Sequence, residues 1–308
     1  MKILNRVLIR PELVLIASLA VLFSMTSAYG QDARKNPPAL LKDIKQSGES
    51  CRRADLVDKP SSVVQRDKFV PDLTCKISTQ ELLIRTKTAH SIIVDTRPAG
   101  EYTQYRIDRS INVPLNEVVH KAVLRKKSIV LIGTGKLERE LYTACSLLKS
   151  KGFTSVKVLQ GGILAWIAAD QAVLGRAITV DQLQRLEPAE LYSEGKFASN
   201  LVVVAASEKA MLKRLDFAVS APQDNAQGLK QVLEQQRRNG KYRSLNAVVW
   251  VTSAQTKPEE LTSLRAMAAP LPFMVYSEGE ASFQKYMSEQ NAVWLAQARG
   301  PKQPTCGL

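Results

Sequence analysis

Histidine and cysteine are scarce: the 308 residues hold two His and four Cys, and no Cys-x-x-Cys pair occurs. Two imidazoles cannot complete most structural zinc sites or support more than one His-based dyad, so no metal and no cofactor is expected. Aromatic residues make up 6% of the chain and do not interleave with its basic residues. Nothing matches a nucleic-acid recognition pattern, and a nucleic-acid partner is not expected. After the amino-terminal segment there is no further apolar run long enough for a membrane span. A hydrophobic fraction of 45% excludes wholesale disorder, and four Cys in this length exclude a disulfide scaffold. What remains is a chain long enough for two packed domains.

Lys2, Arg6 and Arg10 precede an apolar stretch at 13–25, and Ala28-Tyr29-Gly30 offers a small-x-small cleavage site. Residues 1–30 are expected to be a signal peptide cleaved before Gln31, which implies a periplasmic or secreted protein; an uncleaved anchor is the alternative. The net charge is +14, with Lys and Arg spread along the chain (Arg52, Arg53, Lys126, Lys127, Arg237, Arg238). This describes a solvated basic surface, with attraction to anionic membrane headgroups or acidic partners as the second reading. Residues 31–76 are polar and proline-punctuated, an irregular extension bracketed by Cys51 and Cys75. In an oxidising compartment a bridge between these two would stabilise the chain by about 2–4 kcal/mol. Two free thiols are the alternative.

From Ser78 the pattern becomes regular. Ser78 and Glu81 form a capping box ahead of a helix through Leu82, Leu83 and Ile84. Residues 91–94 read as a buried strand ending at Asp95, followed by a loop with Pro98 and Gly100, and 111–113 are extended up to Pro114. Residues 128–132 are a second buried strand, Gly133-Thr134-Gly135 a turn, and 137–151 a helix with Leu137, Leu141, Cys145 and Leu148 on one apolar face. Residues 156–159 are a third strand before Gly161-Gly162 and a helix carrying Trp166. Strands alternating with helices predict an α/β fold with a parallel sheet flanked by helices.

In order and spacing, Val94-Asp95-Thr96-Arg97, Glu101-Tyr102, Ser110-Ile111-Asn112, Pro114-Leu115, Lys151-Gly152-Phe153 and Leu159-Gln160-Gly161-Gly162 with Trp166 resemble the rhodanese-like (sulfurtransferase) family. The resemblance covers residues 77–172 and implies the rhodanese fold. It also implies a nucleophilic Cys directly after the strand 128–132, in a loop of backbone N–H groups that lowers the thiol pKa. This chain has Gly133 there, so no catalytic residue is assigned. Gly133, Thr134, Gly135, Lys136 and Arg139 keep the ingredients of a weak anion-binding loop. By the same resemblance Asp95 and Arg97 brace that loop.

Elements recur over 178–300, with strands at 201–204 and 246–251 and a helix from Pro258. Residues 156–166 align with 273–283, pairing Gly162 with Gly279 and Trp166 with Phe283. Asp95, Arg97 and Gly133 align with Ala205, Ser207 and Thr252. This predicts a degenerate second rhodanese-like domain, or another α/β domain, followed by a tail at 301–308. The functional expectation is a non-catalytic binding or scaffolding module with an unidentified protein partner. The alternative is a sulfurtransferase or thiol-redox protein using Cys145 or Cys306.

Overall fold

The computed structural model describes residues 69–299 apart from 89, 90 and 177. The expected signal segment, the extension before Phe69, Cys51, Cys306 and the tail lie outside the described residues. The chain enters along the longest helix of the first half: Asp72 N–H donates to Tyr142 O (3.1 Å), and Ser146 Oγ donates to Val70 O (2.6 Å).

The first sheet contains β1 (Lys76–Ile77), β2 (Ile92–Asp95), β4 (Ile111–Asn112), β5 (Ser128–Ile132) and β6 (Ser155–Leu159), all parallel in the order β1-β6-β5-β2-β4. β3 (Tyr105–Arg106) and β7 (Leu174–Gly175) form a separate antiparallel pair. The helices are α1 (Thr79–Thr88), α2 (Ala99–Gln104), α3 (Leu115–Val118), α4 (Glu138–Ser150) and α5 (Gly162–Ala168). At α1, Glu81 N–H donates to Ser78 Oγ (3.2 Å), but the Glu81 carboxylate pairs with Arg85 (3.0 Å) instead of turning back. Only half of the expected capping box forms. The expected loop at Pro98 is helix α2, because Pro98 caps it in an extended conformation and leaves the helix free to begin at Ala99.

In the second half β8 (Asn200–Val204), β9 (Val219–Ser220), β10 (Ala247–Val251) and β11 (Phe273–Tyr276) form a parallel sheet in the order β11-β10-β8-β9. This is the order β6-β5-β2-β4 over again. An isolated bridge, Arg185 to Val275, takes the place that β1 holds beside β6. Around the sheet lie α6 (Val180–Leu183), α7 (Pro188–Gly195), α8 (Ala226–Arg238), α9 (Pro258–Ala268) and α10 (Gly279–Arg299). Register corrects the sequence alignment by one residue on β8. Asp95 pairs with Ile132 and Val204 with Val251, so Asp95 corresponds to Val204 rather than Ala205, and Arg97 to Ala206 rather than Ser207.

Strand alternation divides the core into three layers. Ile129 and Leu131 of β5 face α4, while Leu201, Val203, Val248 and Trp250 face α8 and α9. The opposite faces, Val130 and Ile132 from the first sheet and Val202, Val204, Val249 and Val251 from the second, join one shared cluster. Trp166 and Phe283 both belong to it. Parallel strands buried on both faces explain the uninterrupted apolar runs.

The expected Cys51–Cys75 bridge is overturned: Cys75 is bonded to Cys145 (Cα–Cα 6.6 Å). A short helical turn at Leu73–Cys75, capped by Asp72, points Cys75 into the core that the apolar face of α4 covers with Cys145. Cys145 is fully buried as expected, but not as a free thiol. Leu137, expected on that face, is 38% exposed, because it sits before the first turn of α4 in a left-handed conformation (φ 58°).

Two outcomes follow from this packing. The bridge closes a loop with a sequence separation of 70, so replacing both cysteines by Ala should lower unfolding free energy by about 4 kcal/mol. Denaturant titration measures it, and a non-reducing peptide map yielding a Cys51–Cys75 peptide would reject the pairing. Phe283→Ala empties a site in the shared layer and should cost about 3–5 kcal/mol. Since both sheets line that layer, the two halves should melt together; a calorimetric trace in which only residues 178–300 lose stability would contradict the shared core.

Candidate functional site

The loop after β5 is held on three sides. Gly133 O and Thr134 O accept from Ile163 N–H (3.0 Å) and Leu164 N–H (3.2 Å) at the start of α5. Gly135 has φ +101°, and a Cβ there would collide with the Gly161 carbonyl, so only glycine lets the two turns approach this closely. Thr134 Oγ1 accepts from Lys136 N–H (3.2 Å), and Leu137 turns the chain into α4. Gly133 itself has ordinary backbone geometry, and an added Cβ would meet only the Leu141 side chain.

The cations expected to serve an external anion lie among the protein's own carboxylates. Lys136 Nζ donates to Glu190 Oε2 (2.9 Å) and to Arg185 O (2.5 Å), both from the second half. Leu137 N–H, at the mouth of α4, donates to Glu194 Oε1, and Glu194 Oε2 accepts from Asn200 Nδ2 (2.6 Å). Arg139 lines a cavity of about 150 Å³ above the loop, with Leu137, Glu140, Tyr192, Glu194 and Lys196. One helix of the second half, α7, thus supplies Glu190 and Glu194 to the loop of the first.

Asp95 ends β2 beside Ile132 at the foot of the loop, and the side chains of Asp95 and Arg97 bond to each other and toward Tyr105. Arg97 binds Asp95 (Nη2 to Oδ2 2.7 Å; Nε to Oδ1 3.0 Å), donates to Tyr105 O (2.8 Å) and lies 4.6 Å from the Tyr105 ring centre. This buried pair braces the turn that carries α2 into β3. The tie to the loop strand comes instead from Thr96, whose N–H and Oγ1 both donate to Ile132 O (2.8 and 3.0 Å).

Beneath the loop lies a buried polar cluster. Glu138 Oε2 accepts from Asn246 Nδ2 (2.8 Å), and Tyr142 OH donates to Asn246 Oδ1 (2.8 Å). Gln160 Nε2 donates to Asn246 O (2.5 Å) and Lys76 Nζ to Leu245 O (3.1 Å). The Glu138 carboxyl also faces the N–H groups of Gly161 and Gly162. Burial pushes the Glu138 carboxyl up to about 8, with the Glu194 charge adding to the shift, and burial pushes Glu194 up to about 7. The same burial raises the Tyr142 phenol and lowers the Lys76 ammonium.

The sequence carried traces of the residues that were missed. Glu194 follows Leu191 by three positions on the buried side of α7, and Asn246 opens an otherwise apolar strand run. A carboxylate or amide at such a position needs a partner. The partner was distant in sequence and therefore invisible. Among the described residues, one cluster has metal-ligand spacing, Asp72 with Cys75 and Cys145. Its sulfurs are joined to each other and offer no thiolates.

The buried carboxyls make stability depend on pH. Folded Glu138 keeps a proton that the unfolded chain releases above about pH 4.5, so stability falls as pH rises from there toward 8. The loss between pH 4.5 and 7 should be about 3 kcal/mol for this group. Glu138→Gln, which imitates the protonated form, should flatten that slope and leave the smaller contribution of Glu194. Chemical denaturation at several pH values measures this, and a wild-type slope retained in the variant would assign the dependence elsewhere.

A family model for the rhodanese-like domain matches residues 78–169. No curated protein matches the chain. Among solved structures, the Alr3790 protein from Anabaena sp. is 26% identical, covering 34% of this chain and 97% of that one, with a TM-score of 0.29. The BH2092 protein from Bacillus halodurans is 28% identical over 33% of this chain and 78% of its own, also at 0.29. A thiosulfate sulfurtransferase from Pseudomonas aeruginosa is 13% identical over 69% of this chain and 42% of its own, again at 0.29. The family assignment rests on the domain match. Residues 78–169 are thus a rhodanese-like domain, of a sulfurtransferase-related family.

Proposed function

We propose that this chain is a non-catalytic rhodanese-like protein that acts as a binding or scaffolding module in an oxidising extracytoplasmic compartment. The observation that carries the reading is Gly133 at the end of β5, where the family resemblance calls for a sulfur-carrying Cys. Glycine has no atom that could accept a sulfane sulfur. Thr134 has a hydroxyl, but among the described residues no histidine adjoins the loop: His120 lies in the connection between α3 and β5. The alternative chemistry through Cys145 has no free thiol to work with, because that sulfur is bonded to Cys75.

The second half is proposed as a degenerate copy of the first. Its strand order, all-parallel pairing and helix-opening Gly279 (φ +80°) repeat β6-β5-β2-β4 and Gly162 (φ +48°). Export is supported by the basic and apolar amino-terminal pattern and by the Cys75–Cys145 bridge, which persists only where thiols are not kept reduced. The positive surface suits an acidic protein partner or an anionic membrane face.

Cyanide-dependent thiocyanate formation from thiosulfate tests the catalytic half of this reading. The wild type should give no rate above background. Gly133→Cys asks only the end of the Leu141 side chain to give way to its Cβ, yet should remain at least about 100-fold below an active rhodanese, because Glu194 and Glu190 hold the loop donors that stabilise a transferring anion. A wild-type rate abolished by Cys145→Ala or Cys306→Ala would establish thiol chemistry instead.

A further inference from the structure

The loop after β5 is not simply a lost active site, for it already holds anions. Glu194 is 2% exposed, and its two carboxylate oxygens are divided between Leu137 N–H at the start of α4 and Asn200 Nδ2. Glu190 occupies Lys136 from the same helix, α7, and its own Oε2 also accepts from Glu187 N–H (2.9 Å). The spacing of four residues puts both carboxylates on one side of α7, facing the loop together. Above them the cavity of about 150 Å³ remains open, with Arg139 and Lys196 in its wall and Glu194 on its floor.

We propose that α7 is an internal anionic plug: Glu194 and Glu190 occupy the loop of the first half in place of a small oxyanion and keep the cavity from binding one. This rests on the reading of the chain as a non-catalytic rhodanese-like protein, and adds a regulatory contact to it. The plug comes from the second half, so any partner that draws α7 away from the loop exposes Lys136 and the first N–H groups of a 13-residue helix at once. A chain cut before α7 would lack the plug, which gives the second half a role beyond completing the core. Charge explains the effect. In the closed state Lys136 faces Glu190 and Leu137 N–H faces Glu194, and an incoming dianion meets Glu140 and, above about pH 7, the ionised Glu194 in the wall of the same cavity.

The test uses the full chain and sodium thiosulfate, with sodium sulfate as a second probe, titrated by calorimetry or amide NMR at constant ionic strength. At about pH 8.5, where Glu194 is ionised, the wild type should show no saturable binding at tens of millimolar, and Glu190→Gln/Glu194→Gln should bind at least about tenfold more tightly, since the amides leave Lys136 and the start of α4 without a facing negative charge. Adding Lys136→Ala to that variant should remove the gain. Because Glu194 is buried, Glu190→Gln alone provides a milder variant, expected to give a smaller gain in the same amide signals at 133–139. A folded double variant that binds no better than wild type, or a wild type that already binds as tightly, overturns the plug. If the double variant does not fold, a Glu190→Gln protein with wild-type affinity overturns it equally. Thiocyanate turnover by the wild type would instead sink the non-catalytic reading, and the two failures are read in different assays.

Discussion

Two parallel sheets that each need cover on both faces share one apolar layer, and most of the molecule follows from that need. The inner faces of β5 and β2 in the first half and of β8, β10 and β11 in the second drain into a single cluster, which also takes Trp166 and Phe283. Neither sheet could expose that face to water without losing on the order of 1.5–3 kcal/mol for each large side chain uncovered. The two halves are therefore bound to each other by the same physics that folds each of them. With the halves pressed together, α7 lies against the loop after β5, and the position of its carboxylates is a consequence of the shared layer.

Charge at this junction is arranged differently from charge on the surface. Surface ion pairs such as Lys121 with Glu117 are screened and contribute little. Lys136 with Glu190 is mostly enclosed, and Glu138 is wholly so. Burial disfavours the charged carboxylate of Glu138 by more than its hydrogen bond from Asn246 favours it, which is why its proton affinity rises. The junction is specific because its donors, Asn246, Asn200 and Leu137 N–H, find carboxylate acceptors across or along the seam.

The disulfide belongs to the same outer layer as α4. Asp72 caps the entering turn through Thr74 N–H (2.9 Å) and pairs with Lys149 (2.7 Å), so the chain before β1 is fastened to the helix by backbone, charge and covalent bonds at neighbouring points. This fastening ties the segment that leads into the edge strand β1 to α4, the helix that follows the loop.

The sequence by itself determined the local elements, because their causes are local. Apolar runs such as 128–132 and 156–159, Gly161-Gly162 before a helix, and Pro258 at a helix start specify backbone states through near neighbours, and the strands of those runs fall within a residue of where the signals place them, whereas the two-residue strands β1, β3, β7 and β9 carry no such signal. The family order of motifs brought the first sheet and the glycine in place of the nucleophile. Tertiary structure decided what joins distant positions. Cys75 chose Cys145 over Cys51 because the fold lays α4 across the first turn; Arg97 chose Tyr105 over the loop; Lys136 was claimed by a carboxylate 54 residues away. Those choices depend on which faces meet when two sheets bury a common layer, and contacts of that kind leave no periodicity in the sequence to read.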